Sequence, residues 1–149
     1  MRRLIFALLV ALVAGFACAQ EGPSYAPGEN PFQGEYAFEP GKPIALHVVV
    51  EGVRLDEVKL TVLAEARPGE KARCDVVVTG SNTTEKMATL TTVLLLEDAD
   101  SKGLGRITLD PFKAKSNKPF QETQKTTVAG DAVSAARKVY VFVQIDFAQ

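Results

Sequence analysis

VYVFVQIDF, residues Val139 to Phe147, puts Val139, Val141, Val143, Ile145 and Phe147 on one side and Tyr140, Phe142, Gln144 and Asp146 on the other. A period of two marks a β-strand, whose successive side chains point to opposite faces, and β-branched residues suit its pleated surface. The same period recurs upstream. Ile44, Leu46, Val48 and Val50 alternate with Ala45, His47, Val49 and Glu51. Val58, Leu60, Val62 and Ala64 alternate with Lys59, Thr61, Leu63 and Glu65, and Ala72, Cys74, Val76 and Val78 with Arg73, Asp75, Val77 and Thr79. A longer run covers Met87 to Glu97, a short one Arg106 to Leu109, and Phe32 to Phe38 supplies a first edge strand.

Spacings of roughly 12 to 16 residues between these runs leave no room for crossover helices, so the strands pair mostly antiparallel. Turn chemistry falls at Glu39 to Pro43, Glu51-Gly52, Arg67 to Glu70, Thr79 to Asn82 and Asp100 to Gly103. In the first, Pro40 suits the second turn position and Gly41 the one needing positive φ. One helical stretch is predicted at Asp131 to Arg137, with Asp131 as N-cap. The pattern specifies an all-β domain, a single antiparallel two-sheet sandwich with Greek-key links, with a closed barrel as the alternative. PGKPIALHVVVEG, Pro40 to Gly52, followed by a second strand, resembles the broad immunoglobulin-like class. The chain has no tryptophan, so the Cys…Trp…Cys hallmark is missing, and the resemblance is architectural and implies no activity.

The N-terminus carries a separate message. Arg2 and Arg3 precede an apolar run from Leu4 to Ala14, and Ala17-Cys18-Ala19 closes the segment with small residues. This is the pattern of a secretory signal peptide over residues 1–19, with the mature chain beginning at Gln20. The run is too short to span a bilayer, which takes about 20 residues. An alternative reads Gly15-Phe16-Ala17-Cys18 as a lipobox. An acylated Cys18 would then anchor the domain to a membrane, although Gly15 stands where a branched aliphatic is usual. Residues 20–31, rich in Pro, Gly and Glu, read as a flexible tether, and residues 32–149 as the sandwich domain. The expected location is secreted or periplasmic.

Loss of the leader takes 17 basic residues to 15 against 18 acidic ones, a formal charge of about −3. That balance argues against nucleic acid and anionic lipid, both of which need clustered Lys and Arg. Cys74 is then the one remaining cysteine, so the domain holds together without an internal disulfide, and Cys74 reads as a small buried apolar residue.

Candidate chemistry is sparse. His47 is the single histidine, which excludes blue-copper and Cys/His zinc sites. An enzyme built on it would need a carboxylate and a hydroxyl in reach, and no G-x-S-x-G sequence is present. Asp98-x-Asp100 followed by Gly103 matches the opening of a calcium loop. Lys102 interrupts it, Leu109 stands at the twelfth position, and Asp110 remains as a third ligand from beyond it. The long stretch Asp110 to Gly130 reads as a loop. Within it Phe112, Lys113, Lys115, Lys118 and Phe120 form a basic, aromatic candidate surface for a protein partner in the envelope or extracellular space. Asn82-Thr83-Thr84 fits the glycosylation acceptor pattern by chance. The function expected is therefore non-enzymatic: binding or assembly in the cell envelope, with a calcium-stabilised module and a His47 enzyme as alternatives.

Overall fold

The computed structural model describes residues 22–64, 67 and 69–149. The leader, the lipobox cysteine and the Gln20 start lie outside the described residues. Along the chain run β1 (Ala26–Pro27), β2 (Phe32–Ala37), β3 (Pro43–Val50), β4 (Val53–Val62), β5 (Lys71–Asn82), β6 (Ala88–Glu97), β7 (Gly103–Thr108), β8 (Phe112–Ala114), β9 (Lys118–Ala129), α1 (Gly130–Ala135) and β10 (Lys138–Phe147). Sheet one has the order β1-β3-β4-β5-β9; sheet two has β2-β10-β6-β7, with β8 also paired to β6. Every pairing is antiparallel except that of β1 with β3. The fold is all-β, two sheets face to face in a sandwich, and each sheet keeps its own ladder instead of closing into a barrel.

The alternation read from Val139 to Phe147 has the consequence expected of it. Strand β10 is central in sheet two, paired with β6 from Lys138↔Glu97 to Phe147↔Ala88 and with β2 on its other edge. Its inward Val139, Val141, Val143 and Ile145 are buried against Val50, Leu55, Leu60, Val76 and Val78 of sheet one and Leu90, Leu94 and Leu96 of β6. Removing each such side chain from water contributes about 1.5–3 kcal/mol. Among the described residues no disulfide assists, and Cys74 is a free, fully buried thiol. Burial, and after it the Asp75 carboxylate, push that thiol's pKa up, away from reactivity. No helix among the described residues is long and apolar enough to cross a membrane.

Turns follow residue chemistry where it is strong. Glu51 and Gly52 join β3 to β4 with φ of 49° and 85°, both positive as a two-residue type I′ hairpin requires. Gly41 has φ 82° in the Glu39–Pro43 turn, as the sequence predicts.

Four expectations are corrected. Thr79 to Asn82 is not a turn but the end of β5. Gly80 is there because a Cβ would sit 2.1 Å from the Arg54 carbonyl oxygen, where β4 bulges between Leu55 and Glu57. Asp110 to Gly130 is not a loop: it holds β8 and the twelve-residue β9. Helix α1 begins one residue before Asp131, with Ala129 at the N-cap position and Asp131 in the first turn. Finally, the described part of the tether is docked. Ala26 and Pro27 pair in parallel with Val48 and Val49, and the Gly28 N–H donates to the Val49 carbonyl at 2.8 Å.

Candidate functional site

Two backbone irregularities place the single histidine. The β3–β4 register shifts between Ala45 and Val48, so Leu46 and His47 stand against the one residue Asp56, and His47 takes φ 46°. His47 is half-buried on the outer face of sheet one, and the Tyr25 ring lies over it at 5.5 Å between centroids. The Arg54 guanidinium sits 4.4 Å from the centre of the Tyr25 ring and donates to the Tyr25 hydroxyl at 3.1 Å. That hydroxyl donates in turn to Asp56, and Arg54 pairs with Asp56 at 3.8 Å.

This is a carboxylate and a hydroxyl beside a histidine, the inventory an enzyme built on His47 would need. The hydroxyl, however, keeps its proton and donates a hydrogen bond to Asp56 while accepting one from Arg54, and His47 contributes a ring contact. The hydrogen bond to Asp56, and after it burial, push the Tyr25 pKa up from 10.0, opposite to the direction of an activated nucleophile. What the cluster does physically is fasten the N-terminal segment to sheet one.

The carboxylates read as calcium ligands are not brought together. Asp98 Oδ1 accepts the backbone N–H groups of Asp100 and Lys102, each at 2.9 Å, and so shapes the β6–β7 turn. Asp110 follows the far end of β7, whose six residues put it about 20 Å along the sheet. There its backbone is clasped by Gln124, whose Oε1 accepts the Asp110 N–H at 2.7 Å and whose Nε2 donates to the Asp110 carbonyl at 2.8 Å. Among the described residues no three His, Cys, Asp or Glu side chains converge as a metal-binding group.

The predicted partner surface is split as well. Phe112 is 7 % exposed and belongs to the core, tilted against the half-buried Phe120 with centroids 5.6 Å apart. Lys113, Lys115 and Lys118 remain in solvent around the β8–β9 turn. The aromatic half of the surface has therefore turned inward, which corrects Phe112 and Phe120 as recognition residues. Asn82 of the acceptor pattern is 1 % exposed. It donates to the Lys86 and Ala114 carbonyls and accepts from the Thr84 N–H and hydroxyl, organising the β5–β6 connection.

Sequence reasoning missed a different surface, the outer face of sheet two. Register aligns Glu35, Tyr140, Leu95 and Arg106 in one row across β2, β10, β6 and β7, and Gln33, Phe142, Val93 and Thr108 in the next. Leu95, Tyr140 and Phe142 are half-buried, and Val93 between them is 8 % exposed. Lys138 bonds Glu35 at 3.1 Å and the Ser101 hydroxyl at 2.8 Å, and that hydroxyl donates to Glu35 at 3.1 Å. These bonds, Lys138 first, hold the Glu35 carboxyl below its ordinary value. Arg106 bonds only Thr108, at 3.3 Å, and has no carboxylate partner among the described residues. The signal available in sequence was the apolar character of Tyr140 and Phe142 on the outer side of β10; which β6 residues flank them depends on register. No protein-family model matches the chain, and no curated protein matches it.

Proposed function

We propose that this chain is an exported sandwich of the immunoglobulin-like, Greek-key class that acts by binding or assembly in the cell envelope, without catalysis. Export rests on the leader pattern of residues 1–19. The observation that carries binding is the apolar cluster of Leu95, Tyr140 and Phe142 on the outer face of sheet two. The inner face of that sheet already supplies the core, and the solvated face of an antiparallel sheet ordinarily reads polar. Aromatic residues ringed by polar and charged groups are the composition of a recognition patch. The recognition surface proposed here is therefore a sheet face and not the Lys113, Lys115 and Lys118 cluster, which lies around the β8–β9 turn.

The test is in-cell crosslinking of the exported protein, with mass spectrometry of the adducts, for the native chain and for Tyr140→Asp and Leu95→Glu. A crosslinked species that both variants lose while keeping a native melting curve supports the proposal. Adducts unchanged in both variants contradict it.

A further inference from the structure

The charge pattern on this face is two-fold self-complementary. Across the four strands the first row runs acid, aromatic, aliphatic, base: Glu35, Tyr140, Leu95, Arg106. Neighbouring strands lie about 4.8 Å apart, so Glu35 and Arg106 stand roughly 7 Å on either side of the line between β10 and β6. Along the same line, Lys138 on β10 is opposite Glu97 on β6.

We propose that the partner of this face is a second copy of the chain, related by a two-fold axis that lies in the interface and runs along the strands. The inference rests on the binding function assigned above to the same face. Such an axis exchanges the two sides of each row. It sets Glu35 against Arg106 of the second copy, Lys138 against Glu97, and Tyr140 against Leu95, each contact occurring twice, as an isologous interface demands. An in-plane axis across the strands would instead lay β2 on β2 and bring Glu35 toward its own copy. The charges therefore select one axis. Arg106, which has no carboxylate partner among the described residues, gains one; apolar side chains fill the centre and charged pairs the rim, the ordinary anatomy of a protein interface.

The experiment is sedimentation equilibrium of the purified mature protein, with single and double charge exchanges at the rim. The native chain passes from monomer to dimer as its concentration rises toward about 100 µM, the range of a weak specific complex. Arg106→Glu and Glu35→Arg each weaken the dimer by about tenfold or more, because each sets like charges together. Combining them restores it. Both positions are exposed, and native far-UV circular dichroism confirms folded variants. A protein that stays monomeric throughout, or a dimer indifferent to both exchanges, overturns the proposal. If the native chain is monomeric yet Tyr140 crosslinks in the envelope to a different protein, the self-association falls while the binding function stands. No dimer and no crosslink from Tyr140 removes both.

Discussion

Asn30 completes the ladder beside Ile145 with its side chain. Its Nδ2 donates to the Ile145 carbonyl at 2.7 Å and its Oδ1 accepts the Ile145 N–H at 3.1 Å, two residues beyond the Val143↔Phe32 pair. The side-chain amide replaces a strand backbone where the chain leaves sheet one for sheet two. Asn30→Ala removes both bonds and is expected to destabilise the fold by about 1–3 kcal/mol. Urea unfolding checks the loss, and hydrogen exchange at the Ile145 amide should accelerate with it.

Asn82 is the buried counterpart. All its side-chain polar atoms are satisfied, so truncation strands the buried Ala114 carbonyl, while the Lys86 carbonyl keeps the Thr84 hydroxyl. Asn82→Ala is expected to cost about 2–3 kcal/mol, more than an exposed asparagine would. A fall in melting temperature below that of Thr83→Ala would confirm the ranking; equal values would refute it.

Phe112 and the lysines around it separate packing from recognition. Phe112→Ala opens a hole in the core and should cost about 3–5 kcal/mol. Lys113→Ala, Lys115→Ala and Lys118→Ala should each change stability by less than about 0.5 kcal/mol. Chemical denaturation of the four variants decides the matter. A native-like stability for Phe112→Ala would put that ring on the surface after all.

The fold was legible where burial imposes a period and illegible where it does not. Val139 to Ile145 alternate because every second residue is sealed between sheets. In β9 the inward positions include Glu122, Gln124 and Thr126, only half-buried at the edge of sheet one, so no apolar alternation marks the strand. Residues 26 and 27 escaped notice because proline-rich sequence reads as unpaired, although an edge position tolerates Pro27. Among site residues, Asp98, Asp100 and Asp110 looked like one group only along the chain; β7 separates them. The neighbourhood of Tyr140 depends on cross-strand register, which no local pattern encodes.

Two titrating groups give opposite pH signatures. Glu35 is depressed from 4.5 by Lys138 and Ser101, so its contribution is present above that value and lost as pH falls through the lower folded one. Lys138→Met should flatten the acid limb of the stability curve, and added salt should do part of the same. Tyr25 is raised from 10.0, so its contribution is complete below that value and lost as pH rises through the higher folded one. Limited proteolysis within residues 22–31 should quicken at alkaline pH, and Tyr25→Phe should quicken it already at neutral pH.

The most direct test of binding through sheet two is a photo-crosslinking residue placed singly at position 140 and, as a control, at Thr123, exposed on sheet one. Both are expressed with residues 1–19 in place and irradiated in intact cells. A discrete adduct from 140 and none from 123 is the predicted result. Adducts from 123 alone, or none from 140 in a folded protein, would contradict it.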